Sequence, residues 1–228
     1  MVAIGGIMKF STVDYPGHTV AAIFTVGCNM RCGYCHNPEL VLPEQYVNTI
    51  PTHEVLAFLK TRIGLLDGVA ISGGEPTMQP DLPDFIAQIK TMGFKIKLDS
   101  NGTNPDMIKT LINKSLVDFI AMDIKGPLRL YQQIASRPVD LTAIQESIKL
   151  IKTIPHEFRT TIVKGQLSVS DFDEIGLLVR GADRFALQKF TPGHTVSSQF
   201  KTSVSFNKDE MEKARQIMSR YVKECVVH

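Results

Sequence analysis

The sequence has no tryptophan, only four cysteines in 228 residues, and a formal net charge of just +2. It lacks an apolar run of the roughly 18 residues that a membrane-crossing helix requires. Its Met1–Met8 start carries no charged leader region and is broken by Gly5-Gly6, so no secretory signal is expected. A near-neutral chain without a basic cluster has no electrostatic footprint for nucleic acid or an anionic membrane. These absences predict a cytoplasmic protein. Its length exceeds the rough prior of 150 residues per domain, but α/β barrels reach about 200–250 residues as one unit, so residues 1–228 are expected to form a single domain. The four cysteines are unevenly placed: Cys28, Cys32 and Cys35 are clustered, and Cys225 stands alone near the C-terminus. A secreted disulfide scaffold would spread paired cysteines along a shorter chain, whereas a tight cluster points to metal or redox chemistry.

What is present is an alternation of strand and helix patterns. A buried strand is predicted over Thr19–Thr25, preceded by Val2–Phe10 as its hairpin partner with the turn at Tyr15-Pro16-Gly17. Further strands are predicted over Gly68–Ser72, Lys95–Asp99, Val117–Ile124, Glu157–Val163 and Arg184–Gln188. Helices are predicted over Thr52–Arg62 with Thr52 as N-cap, Leu82–Met92 ended by Gly93, Pro105–Asn113, Leu128–Thr153, Ser170–Arg180 capped by Ser170, and Lys208–Lys223. Six βα steps imply parallel strands joined by right-handed crossovers, and thus an open or partial barrel. Chemistry in such folds gathers at the C-terminal ends of the strands. Polar motifs do follow the strands: Cys28–Cys35, Gly73-Gly74-Glu75-Pro76, Asp99-Ser100-Asn101-Gly102, and Asp123 with Lys125.

The cysteine segment reads C-x3-C-x2-C. Thiolates are soft ligands suited to zinc and iron–sulfur centres. Structural zinc normally takes four protein ligands, and so do ordinary four-iron clusters. Three clustered cysteines leave one metal position open for a substrate. A zinc site completed by His36 or Cys225 is the simpler alternative. Glycine at 73 and 74 allows close backbone approach to a ligand, or an ordinary strand-to-helix turn. Asp123 and Lys125 lie two apart on a strand and share a face, where they pair with each other or with a ligand. Lys97 shares a face with Lys95 and Asp99, and points either into the barrel or to solvent.

C-x3-C-x2-C with Tyr34 before its last cysteine, together with Gly73-Gly74-Glu75-Pro76, resembles the radical S-adenosylmethionine (SAM) superfamily, and the resemblance covers essentially the whole chain. It implies a partial (β/α)6 TIM-like barrel. Cys28, Cys32 and Cys35 would ligate three irons of a [4Fe–4S] cluster whose fourth iron is chelated by the amino and carboxylate groups of SAM. Reductive cleavage of SAM would then give methionine and a 5′-deoxyadenosyl radical. Gly73, Gly74 and Glu75 would receive the SAM amino group and Tyr34 the adenine.

A narrower resemblance rests on Ser11-Thr-Val-Asp14-Tyr-Pro-Gly17 and on His36-Asn37-Pro38. These segments are similar to those of glycyl radical enzyme activases, above all the anaerobic ribonucleoside-triphosphate reductase activating proteins and, more distantly, pyruvate formate-lyase activating enzyme. The likeness implies a glycyl radical enzyme as protein substrate, flavodoxin or ferredoxin as electron donor, and contact between Asp14 and the target glycyl loop. Likeness to these activases also implies that Asp99, Asp123 and Lys125 lie at the SAM pocket, and likeness to pyruvate formate-lyase activating enzyme that the two aspartates could also hold a monovalent cation. Gln188 would supply a further SAM contact, although the chain has Thr191, with His194 slightly beyond, near where the pyruvate formate-lyase activase has histidine. No second cysteine-rich insert follows Cys35, unlike activases with extra clusters. The alternatives are an activase of the pyruvate formate-lyase type, a small-molecule enzyme resembling 7-carboxy-7-deazaguanine synthase, and a non-catalytic iron–sulfur electron carrier. Cys225 is expected to be a spectator, and His53 to be exposed.

Overall fold

Strands buried on both faces read as near-continuous apolar runs, and segments such as Val20–Thr25 and Gly68–Gly73 have that character. A computed structural model describes all residues, Met1–His228. The chain begins with strands β1 (Ile4–Ser11) and β2 (Val20–Thr25), then helices α1 (Pro38–Val41) and α2 (Thr52–Lys60). There follow β3 (Gly68–Gly73), α3 (Leu82–Lys90), β4 (Lys95–Ser100), α4 (Pro105–Asn113) and β5 (Phe119–Asp123). Helices α5 (Leu128–Ala135) and α6 (Leu141–Ile151) precede β6 (His156–Ile162), α7 (Asp171–Leu178) and β7 (Arg184–Lys189). The chain closes with α8 (Lys208–Met218) and β8 (Glu224–Val227).

All eight strands form one sheet in sequence order, β1 to β8. β1 pairs antiparallel with β2, joined through a turn in which the amide of His18 donates to the carbonyl of Tyr15 at 3.1 Å. Every later pairing is parallel. β1 and β8 are the two edges, so the sheet is an open barrel that does not close on itself. The parallel arrangement carries the C-terminal ends of β2 to β7 to one mouth.

Four expectations are corrected. The predicted Leu128–Thr153 helix is two helices, broken where Ser136 takes a left-handed conformation (φ 52°). Pro138 disfavours helix in the residue before it, and Asp140 starts α6 by accepting from the amides of Thr142 (2.8 Å) and Ala143 (3.3 Å). The Lys208–Lys223 helix stops at Met218, and Glu224–Val227 adds an eighth strand on the exposed edge of β7. Thr52 is the first helical residue rather than the cap, which falls on Pro51 without a side-chain bond. Ser170 does occupy the N-cap but makes no capping bond; the Asp171 carboxylate instead accepts from the amide and hydroxyl of Ser168, at 2.7 and 2.8 Å.

Removing the Asp140 carboxylate orphans two amides at the start of α6. Asp140→Ala is expected to lower stability by about 1 kcal/mol. Denaturant unfolding checks this: the midpoint should fall with an unchanged slope, and an unmoved midpoint would deny the cap any role.

Candidate active site

The mouth of the barrel holds a cavity of about 230 Å³, and Cys28, Cys32 and Cys35 all line it. The three are free thiols; Cys32 is buried and the other two are partly covered. Burial pushes the Cys28 thiol up to about 12, with the nearby Glu75 carboxylate adding to the effect. Burial also raises Cys32 and Cys35. Metal ligation must therefore displace protons. Cys225 lies on β8, paired with Phe185, away from the cavity. His36 lines the cavity, but its Nδ1 lies 3.0 Å from the His194 carbonyl oxygen. No set of three His, Cys, Asp or Glu side chains converges as a single-ion site would require. Three soft thiols spread round a cavity, with no fourth, fit a cluster with an open position better than tetrahedral zinc.

The glycines after β3 serve chain against chain. A Cβ on Gly73 (φ +110°) would sit 2.3 Å from the Thr25 amide nitrogen, and one on Gly74 would sit 2.0 Å from the Gly27 carbonyl oxygen. That close approach permits the amide of Gly74 to donate to Thr25 at 2.8 Å and that of Glu75 to donate to Gly27 at 2.7 Å. The loop after β3 is thereby fixed against the segment that enters the cysteine loop.

Gly73, Gly74 and Glu75 all line the cavity, and the Glu75 side chain is also engaged within the protein. Its carboxylate is buried, with Oε1 accepting from the Thr77 amide (3.1 Å), the Thr77 hydroxyl (2.5 Å) and the Ser100 hydroxyl (2.9 Å). Oε2 accepts from the Asn101 amide at 2.6 Å. Burial raises its pKa, and the four donors work against that rise. The carboxylate thus ties the loop after β3 to the loop after β4.

Asp99, Asp123 and Lys125 all line the cavity, joined by Arg159 from β6, a residue absent from the sequence-based set. Asp123 and Arg159 are register partners on adjacent strands, which places their side chains together. Arg159 Nε donates to Asp123 Oδ1 at 2.5 Å, and a terminal nitrogen lies 3.4 Å from Asp99 Oδ1. Lys125 Nζ lies 2.9 Å from Asp123 Oδ2. Burial would raise both carboxyls, but Arg159 overrides it, with Lys97 at Asp99 and Lys125 at Asp123, and both are held below the usual carboxylate range. Burial likewise works against the charge on Lys125, yet Asp123 keeps its pKa well above normal. Lys97 is buried and points inward, its Nζ 2.7 Å from Asp99 Oδ1, so of its two orientations the buried one is realised.

Tyr34 also lines the cavity, packed edge-on against Phe190 and Phe200. Gln188 does not; its Oε1 accepts from the Thr161 hydroxyl at 3.4 Å, and Thr161 is the residue that reaches the cavity. Asp14 stands apart on the β1–β2 connection, where its amide donates to Ser11 Oγ at 3.3 Å. His53 is exposed at the start of α2. Arg159 could have been found from the polar stripe Glu157, Arg159, Thr161, which occupies one face of β6.

A depressed carboxylate pKa contributes stability above the ordinary value and loses it as pH falls. For Asp123 that contribution is complete above 3.8 and lost progressively below it. Asp123→Asn is expected to flatten the fall of the denaturant midpoint on acidification below about pH 4. Equal slopes for the two proteins would remove Asp123 from the acid response.

A model of the radical SAM superfamily matches residues 22–178. The chain is 33% identical over 231 residues to a protein of Methanocaldococcus jannaschii that bears the provisional name glycyl-radical enzyme activating enzyme, with 98% of this chain and 95% of that one covered. It is 32% identical over 129 residues to a pyruvate formate-lyase-activating enzyme of Staphylococcus aureus, covering 52% of this chain and 51% of the relative. In fold it is similar to SuiB of Streptococcus suis, solved with S-adenosylmethionine bound, at a TM-score of 0.68 and 14% identity over 91% of this chain and 51% of that one. With its three thiols, Gly73–Glu75 loop and open parallel barrel, the chain belongs to the radical SAM superfamily and is a homologue of glycyl-radical enzyme activating enzymes.

Proposed function

We propose that this protein is an activating enzyme that installs a glycyl radical on anaerobic ribonucleoside-triphosphate reductase. The observation that carries the reading is the grouping of three thiols, without a fourth, in one cavity with the Gly73–Glu75 loop. When bound, the [4Fe–4S] cluster supplies the electron that breaks the S–C5′ bond of SAM, giving methionine and a 5′-deoxyadenosyl radical able to take a glycine hydrogen. Cys28, Cys32 and Cys35 would hold the cluster. The backbone at Gly73 and Gly74 would accept the SAM amino group, and Lys125 would face its carboxylate. Tyr34 would border the adenine, and Thr161, backed by Gln188, would close the pocket on the β6 side.

The narrower target rests on Ser11–Gly17 and His36–Pro38, and on a relative matched along nearly the full length of both chains. The β1–β2 connection that bears Asp14 lies at the N-terminal ends of the strands, with Tyr15 against Phe119 and His18 beside Lys95, opposite the cavity mouth, so an Asp14 contact requires the glycyl loop to enter along the open β1 edge. The partner is thus a folded protein with an exposed glycine loop, and the electron donor a flavodoxin or ferredoxin.

The test is anaerobic reconstitution with iron and sulfide, reduction, and addition of SAM, with 5′-deoxyadenosine read by mass spectrometry. Wild-type protein should form it and Cys28→Ala should not. Addition of the anaerobic reductase should produce a glycyl radical signal in electron paramagnetic resonance. A fully loaded cluster that yields no 5′-deoxyadenosine would overturn the enzymatic reading in favour of an electron carrier. SAM cleavage without a radical on the reductase would overturn the choice of target.

A further inference from the structure

Asp99 and Asp123 are the pair that the family resemblance would give to a monovalent cation. In this chain their surroundings do not fit one. Asp99 Oδ1 lies 2.7 Å from Lys97 Nζ and 3.4 Å from Arg159, while Asp123 lies 2.5 Å from Arg159 Nε and 2.9 Å from Lys125 Nζ. Three side-chain cations therefore stand against two carboxylates. A metal cation between the aspartates would sit at short range from these three cations, which repel it; Glu157, the further carboxylate near Arg159, is itself paired with Arg184 at 2.8 Å.

Lys97 is the distinctive member. It lies two residues before Asp99 on β4, so both side chains share the inner face of the barrel. Its side chain is 5% exposed, too little for solvent to replace the ion pair. Asp99 borders the cavity and Lys97 does not, so the ammonium group reaches the carboxylate from behind. A buried lysine in that place is expensive unless it meets a charge of opposite sign, and Asp99 is that charge.

We propose that Arg159, which spans both aspartates, takes the place of a monovalent cation, with Lys97 neutralising Asp99 from behind, so that the SAM pocket of this chain works without one. Lys97 is then a positioning residue: it fixes Asp99 at the cavity wall and touches no ligand. The SAM part of this inference rests on the function proposed above; the ion-pair part does not.

The test compares NaCl, KCl and choline chloride at equal ionic strength. Thermal unfolding of the cluster-free protein is one readout, and SAM affinity of the reconstituted protein by anaerobic calorimetry is the other. Wild-type protein should give the same melting temperature and the same affinity in all three salts. Lys97→Met, of similar length and without charge, should melt lower and bind SAM about tenfold more weakly in choline. Potassium or sodium should restore part of both losses, a cation-specific rescue that a merely structural lysine would not produce. Weaker binding or lower melting of the wild type in choline overturns the proposal, and so does a folded Lys97→Met protein that gains nothing from either metal cation. If Lys97→Met does not fold, the wild-type comparison decides alone. A cluster-loaded wild type that binds SAM in none of the salts overturns the SAM pocket instead, and leaves the melting comparison to judge the ion pairs.

Discussion

The buried carboxylate of Glu75 is surrounded by hydrogen-bond donors, not by a counter-ion. Placing such a charge away from water is costly unless its lone pairs are met, and Thr77, Ser100 and Asn101 meet them with four hydrogen bonds. Hydrogen bonds to a charged group contribute about 1.5–3 kcal/mol each, so the loops after β3 and β4 are locked to each other. From there the constraint passes to the cysteine loop. Asn101 donates to Asn29 at 2.9 Å and reaches within 3.9 Å of Cys28 Sγ, while the Glu75 amide holds Gly27. One acidic side chain thus sets the relation between the loops that would carry cluster and SAM. Gly73 and Gly74 are needed because the same loops run too close for any Cβ.

At the barrel mouth, ion pairs take the place that apolar layers fill in a closed barrel. β4 contributes Lys97 and Asp99, β5 ends in Asp123 with Lys125 beyond it, and β6 contributes Arg159. Strand register brings Asp123 beside Arg159, and the guanidinium then spans both aspartates. Breaking a buried pair by removing one partner leaves the other uncompensated, typically at about 3–5 kcal/mol. Lys125 and Arg159 of this layer border a cavity whose proposed ligand brings a carboxylate.

Much of this was legible in the sequence because local pattern and tertiary role agree. Parallel strands buried on both sides announce themselves as apolar runs, and the polar motifs fall directly after them. Two of the missed features depend on contacts that no local window contains. Glu75 stands in a motif that suggests a ligand contact, but two of its partners, Ser100 and Asn101, lie some 25 residues on. β8 is a four-residue run that becomes a strand only because β7 offers an open edge. The break near Pro138 carried its own signal in the proline, outweighed by strong helical periodicity on either side. Arg159 and Lys97 belong to period-two charged stripes on β6 and β4, which already point to a charged barrel interior.

The central claim is that hydrogen passes from a protein glycine to a SAM-derived fragment held in this cavity. It is tested most directly with anaerobic ribonucleoside-triphosphate reductase made with α-deuterated glycine, incubated with the reduced, cluster-loaded protein and SAM. The account predicts deuterium in the recovered 5′-deoxyadenosine, in step with growth of the glycyl radical signal. Unlabelled 5′-deoxyadenosine, formed at the same rate with and without the reductase, would contradict it.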